Sequence, residues 1–134
     1  MITLVKFWQG RDVKYASELT KEIKACAAET IRRVNALLAR AALDDRSTDG
    51  DANSGWRPQA VNAALKGAAL LSKHMKGQAV DVEDADKALQ RWCMANLDVL
   101  EELGLWMEHP RDTPTWTHLQ IVPPRSGKRV FYAK

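Results

Sequence analysis

Three histidines, His74, His109 and His118, are the side chains best suited to bind a metal or move a proton near neutral pH. His74 lies in Ser72-Lys73-His74-Met75-Lys76-Gly77-Gln78-Ala79-Val80-Asp81. Gly77 permits a tight turn, and a strand returning from it brings the Asp81 carboxylate towards the His74 imidazole. His118 falls at the centre of an expected strand, in Thr115-Trp116-Thr117-His118. Two imidazoles and one carboxylate are the right number and type of ligands for a catalytic zinc, whose fourth position is left for water. The same letters also fit a loop histidine at 74 and a hydrogen-bonded core histidine at 118, and spacing alone leaves both readings open. His109, between Glu108 and Pro110, reads as a solvated turn residue.

The elements that must position these groups are legible from periodicity. Thr20 is placed to cap a helix, after which Ile23, Cys26, Ala27, Ile31, Val34, Leu37, Leu38 and Ala41 recur at spacings of three and four. They form one apolar stripe along a helix of about six turns, with Lys24, Arg32, Arg33 and Arg40 on its solvated side. Residues 1–19 are mixed, with Phe7, Trp8 and Tyr15 available to the core. Asp44 to Gly55 is polar and glycine-containing and reads as a loop. Its Asp49, Asp51 and Asn53 are reminiscent of a calcium loop, but Ser54 and Ala60 stand where such a loop needs Gly and Glu. Pro58 suits the first turn of a short helix to Leu65, and Gly67 to Leu71 leads into another loop. Gln78 to Val82 is a strand, and Asp84 to Leu103 a second long helix stopped by Gly104. Leu105 to Met107, Thr115 to Val122 and Arg129 to Tyr132 are strand-like. Helices early and strands late, without βαβ alternation, predict an α+β domain with a small, mostly antiparallel sheet packed against helices.

Composition narrows the field. At 134 residues the chain fits one domain, and 46% hydrophobic with 28% charged residues is ordinary globular usage. Five tryptophans supply large apolar groups for a core. No apolar run approaches the roughly 20 residues that span a bilayer, and the opening Met-Ile-Thr-Leu-Val-Lys-Phe-Trp does not read as a secretory signal. Synthesis in the cytoplasm without stable membrane association is expected. A net charge of +3 permits an anionic partner without requiring one. Arg125, Lys128, Arg129 and Lys134 read as a solvated basic end, and with no motif behind them a nucleic-acid partner is not expected. Ser126-Gly127-Lys128 lacks the glycine and the hydroxyl residue of a phosphate loop. Cys26 and Cys93 lie within expected helices and read as small buried apolar side chains.

Ser54-Gly55-Trp56-Arg57-Pro58, Asn62, Ser72-x-His74-x-x-Gly77-x-Ala79-x-Asp81 and Trp116-x-His118 together carry a family resemblance over residues 54–121. The pattern resembles the zinc D-alanyl-D-alanine peptidases (peptidase M15). That family includes bacterial carboxypeptidases, vancomycin-resistance dipeptidases and bacteriophage peptidoglycan endopeptidases, and shares its fold with the amino-terminal domain of hedgehog proteins. The resemblance implies a single zinc peptidase domain over residues 1–134, with His74, Asp81 and His118 as ligands of Zn2+. Arg57 matches an arginine that binds substrate and stabilises negative charge near the scissile carbonyl, and Ser72 a serine lining the same pocket. Trp116 is placed either to line the substrate groove or to fill the core.

Peptide hydrolysis also needs a carboxylate to take a proton from water and pass it to the leaving amine. Many relatives carry Glu or Asp three residues before the last histidine ligand, where this chain has Thr115, which is no base near neutral pH. The nearest acids are Asp112 and Glu108. The hedgehog relatives, with an acid six residues before their final ligand, favour Asp112. On an unbulged strand Asp112 would share the face of His118, but Pro110 and Pro114 interrupt such a strand. The resemblance implies cleavage of peptidoglycan stem peptides, with a phage or prophage endolysin-type endopeptidase ahead of a D-Ala-D-Ala carboxypeptidase. The missing acid at 115 keeps open a zinc-containing binding module without hydrolytic activity. The expected partner is the stem peptide, met by a monomer that reaches the wall after release from the cell.

Overall fold

The computed structural model describes residues 1–43, 54–65 and 72–133. The calcium-like stretch at 49–53 and the whole loop expected at 67–71 therefore lie outside the described residues. Residues 1–19 contain two short helices, α1 (Leu4–Trp8) and α2 (Arg11–Lys14). Helices of one turn are marginal alone; α1 persists because Phe7 and Trp8 are buried and stack edge-on, Trp8 in turn meeting Trp56 at 5.8 Å. Thr20 caps α3 (Lys21–Arg40) as its sequence predicts, its side-chain oxygen accepting from the Ile23 N–H at 3.2 Å. The apolar stripe of α3 enters the core through Ala27, Val34, Leu37 and Leu38. Arg33 departs from the solvated role expected of it. Its guanidinium pairs with Glu29 and donates to the Gly104 carbonyl at 2.9 Å, tying α3 to the end of the last helix.

Pro58 caps α4 (Gln59–Ala64) rather than forming its first turn. The single long helix expected over 84–103 is instead a pair, α5 (Ala88–Ala95) and α6 (Leu97–Leu103). Two polar side chains cause the difference by competing for backbone groups. The buried Asp84 carboxylate accepts from the N–H groups of Leu89 and Gln90, which delays the start to Ala88. Asn96 Nδ2 donates to the Trp92 carbonyl at 2.8 Å and ends α5, so α6 begins one residue later. Gly104, at φ 67, stops α6 as expected. Among the described residues no helix is long and apolar enough to cross a membrane.

Among the described residues four strands, β1 (Ala79–Glu83), β2 (Trp106–Glu108), β3 (Trp116–Gln120) and β4 (Val130–Phe131), form one sheet in the spatial order β1-β3-β2-β4. β3 pairs antiparallel with both β1 and β2, and only β2 with β4 is parallel, so the α+β class and mostly antiparallel sheet stand. Alternation splits the sheet into two faces. Val80, Val82, Met107 and Leu119 join the hydrophobic core with α3 and α6. The residues alternating with them, Asp81, His118, Gln120, Trp106 and Glu108, occupy the other face. Arg129 belongs to this architecture as well, since its guanidinium lies 4.5 Å from the Trp106 ring and donates to the Leu105 carbonyl.

Candidate metal centre

The register of β1 on β3 sets Asp81 directly opposite His118. The ring of His118 reaches Asp81 Oδ1 through Nδ1 at 2.9 Å, while His74 Nε2 lies 3.2 Å from Asp81 Oδ2. The imidazole centroids are 5.2 Å apart and all three residues are buried. Each offers a ligand atom within 4.8 Å of the others. Tetrahedral zinc, with bonds of about 2.0–2.1 Å, needs ligand atoms roughly 3.3 Å apart, close to the two contacts seen here.

His74 arrives from a 3-10 turn, Lys73–Lys76, that Gly77 closes at φ 71. A Cβ on Gly77 would stand 2.8 Å from the Ile23 carbonyl oxygen of α3, so only glycine fits both the backbone angle and the space. Ser72, a candidate for the substrate pocket, has its hydroxyl oxygen accepting from the His74 N–H at 3.2 Å and caps this turn. The strip Ser54–Arg57 runs alongside and fastens both residues. The Ser54 carbonyl accepts from Asp81 N–H at 2.7 Å, and the Gly55 carbonyl contacts His74 Nδ1 at 2.9 Å. Arg57 N–H donates to the His74 carbonyl, and Trp56 Nε1 to that of Met75. Gly55 is required because a Cβ there would lie 2.5 Å from the Phe7 carbonyl oxygen.

Without a cation, charge in this cluster favours the ligand forms of Asp81 and His74 but not of His118. Burial acts to raise the Asp81 carboxyl, but the imidazoles of His74 and His118 outweigh it and hold it well below the ordinary carboxylate range. Burial lowers the His74 imidazole despite Asp81, with Arg57 and His118 pushing the same way. Burial also opposes charge on His118, yet Asp81, then Glu108 and Gln120, raise it above the ordinary value. An ionised carboxylate and a neutral His74 are the forms a cation requires.

Of the two candidate acids, only Glu108 shares the sheet face of the cluster. Trp106 pairs with Gln120 and Met107 with Leu119, so the next step along the same hairpin sets Glu108 opposite His118. Burial raises the Glu108 carboxyl above its usual range; His118 opposes this, while Asp81 and Asp112 add to it. Asp112 does not lie on the strand of His118, because Pro110 starts a 3-10 turn there and β3 begins only at Trp116. Its carboxylate accepts from Ala133 N–H at 3.0 Å and lies 3.5 Å from Arg111 Nε, and the Ala133 bond lowers its pKa. Thr115 is exposed, and its carbonyl pairs with Asp84 N–H. His109 caps the same turn by accepting from Arg111 N–H, its ring stacked on Tyr132 at 4.7 Å.

Arg57 is half-buried beside the cluster. Burial lowers its pKa, the Asp81 charge acts against that, and its buried Nε has no hydrogen-bond partner among the described residues. Trp116, half-buried, begins β3 on the His118 face. Three contributors were not anticipated from sequence: the Gly55 carbonyl, Phe131 edge-on to His118 at 6.0 Å, and Gln120, whose Oε1 lies 2.8 Å from His118 Nε2. Only Gln120 left a signal, standing two residues beyond His118 on the same strand face.

A buried His-Asp-His cluster on an α+β sheet, with an arginine and a glutamate close by, defines a site that could hold a metal ion. A sequence model of the peptidase M15 family matches residues 13–113, and the chain belongs to that family of metallopeptidases. The match stops short of His118, which the β1–β3 register brings to the cluster. No curated relative and no solved structure matches the chain.

Proposed function

We propose that this chain is a zinc-dependent peptidase that hydrolyses a peptide bond in peptidoglycan stem peptides, in the manner of a phage or prophage endolysin. The observation that carries the reading is the gathering of His74, Asp81 and His118 about one point in a chain of the peptidase M15 family. These three residues would hold the ion. Zinc there supplies Lewis acidity, polarising the scissile carbonyl and acidifying water.

The remaining work falls to the chain's own groups. Glu108 is the general base: its carboxylate takes a proton from the attacking water and returns it to the leaving amine. Its place across the hairpin from His118 substitutes for the acid missing at Thr115, and this supports catalysis over a silent binding module. The unpartnered Nε of Arg57 and the rest of its guanidinium can receive a developing oxyanion or a substrate carboxylate. Trp116 borders the same face, and Ser72, which caps the turn that carries His74, completes the proposed substrate contacts.

The test is direct. Purified protein is assayed for zinc, then incubated with peptidoglycan sacculi while amines, reducing sugars and fragment masses are followed. One equivalent of zinc and new amines without new reducing ends are expected, with masses showing a cut inside the stem peptide or cross-link. Loss of a single terminal D-alanine would favour the carboxypeptidase reading. Zinc-loaded protein inert on walls from several bacteria would overturn the peptidoglycan assignment.

A further inference from the structure

We infer that Gln120 is a positioning residue that selects the tautomer of His118 and so points the Nδ1 lone pair of that ring into the metal cluster. The inference rests on the metal-centre reading above, and it follows from the hydrogen-bond direction of one buried amide. A primary amide has one donor end and one acceptor end. Gln120 Nε2 lies 2.9 Å from the Val122 carbonyl oxygen, which can only accept. The amino end therefore faces Val122, and Oε1 is the end 2.8 Å from His118 Nε2. An oxygen there demands a donor, so Nε2 carries a proton; when a cation takes the place of the Nδ1–H contact to Asp81, Nδ1 is the nitrogen left with a lone pair. Turning the amide over would set two carbonyl oxygens against each other at Val122, so the network itself fixes the orientation.

Nδ1 is the atom that lies 2.9 Å from Asp81. His74 reaches the same end by the opposite route. Its Nδ1 faces the Gly55 carbonyl, also an acceptor only, which leaves Nε2 towards Asp81. One ring thus offers Nε2 and the other Nδ1, and each is oriented by an acceptor on its far nitrogen, the arrangement that fixes metal-ligating histidines. The difference lies in the acceptors. For His74 it is main chain and survives substitution, whereas for His118 it is a side chain on β3 that a single change removes.

The experiment measures zinc affinity by chelator competition and reads the ring nitrogens of His118 by 15N NMR in the zinc-loaded protein. In the loaded wild type the proton is expected on Nε2. Gln120→Leu removes the acceptor and should weaken zinc binding by about ten- to a hundredfold, with the hydrogen-bonded Nε2–H signal lost. Gln120→Glu restores an acceptor and should recover both the Nε2–H signature and most of the affinity, which a purely packing role would not predict. A proton on Nδ1 in the zinc-loaded wild type, or Gln120→Leu with unchanged Nε2–H signal and affinity, would overturn the inference. Should Gln120→Leu fail to fold, the wild-type spectrum and the Gln120→Glu affinity decide it. A wild type that takes up no zinc would sink the metal-centre reading and the inference with it, whereas a zinc-loaded wild type carrying Nδ1–H would sink the inference alone.

Discussion

His74 and Asp81 are held on one side of the centre by main-chain hydrogen bonds from Ser54 and Arg57, by a glycine turn pressed on α3, and by full burial. On the other side, Glu108 and Phe131 come from strands of three and two residues and are only half-buried. The first region has almost no freedom: shifting either ligand breaks several buried backbone bonds at once, each costly to leave unmade. The second asks only that some carboxylate reach the same space. On the proposed reading the proton acceptor comes from a neighbouring strand because position 115 is a threonine, whereas the turn that bears His74 tolerates no such relocation.

Breaking the rigid side should have the largest effect. His74→Ala or Asp81→Asn removes a ligand, and the expected outcome is loss of bound zinc by elemental analysis together with loss of all turnover. Retention of a full equivalent would mean the ion is held elsewhere. Next comes Glu108→Gln, which should lower kcat by about 10²–10⁴-fold with zinc content unchanged. Asp112→Asn is the control, since Asp112 serves Ala133 and Arg111, and turnover should stay near the wild-type value. The opposite ranking would return the base to Asp112 and remove the contrast between the two regions.

A third comparison uses stability. Gly77→Ala strains a left-handed backbone and drives a Cβ against Ile23, so a loss of about 2–4 kcal/mol is expected from denaturant midpoints. Glu108→Gln, on a half-buried edge, should scarcely move the midpoint. Equal losses in the two variants would show that the acid-bearing strands are as constrained as the ligand-bearing turn.

Much of this was legible in advance, for identifiable reasons. The stripe of α3, the Thr20 cap and the Gly104 stop are local signals, and they appear where periodicity places them. His74, Gly77 and Asp81 lie within eight residues, so a turn and a strand bring them together without knowledge of the rest of the chain. What escaped the sequence was side-chain capture of backbone groups and long-range pairing. The break at Asn96 depends on one side-chain amide finding the Trp92 carbonyl four residues back, and the half-buried role of Arg33 on a carbonyl 71 positions away. The proposed preference for Glu108 over Asp112 rests on the β2–β3 register, which no residue spacing reveals, and on the 3-10 turn that Pro110 opens before β3. Gly55 contributes a backbone oxygen, to which no side-chain pattern points.

The smallest expected effect tests whether the fixed region extends into α5. Asp84 caps that helix from the end of β1 and also accepts from the Thr117 hydroxyl of β3, so α5 is fastened to the two strands that carry Asp81 and His118. Cys93 lies within α5, fully buried. Burial, reinforced by the Asp84 charge, pushes its thiol from an ordinary 9.0 up to about 12. The folded-state pKa is raised, so the neutral thiol contributes its full stability below about pH 9, and that contribution is lost as pH climbs towards about 12. Stability should therefore fall over this alkaline range with a slope that Cys93→Ala reduces. At pH 8 a thiol reagent should label the half-buried Cys26 first and reach Cys93 only through unfolding. If Cys93 reacts as fast as Cys26 in native protein, α5 opens independently of the sheet, and the rigid region ends at β1 rather than including the helix that Asp84 anchors.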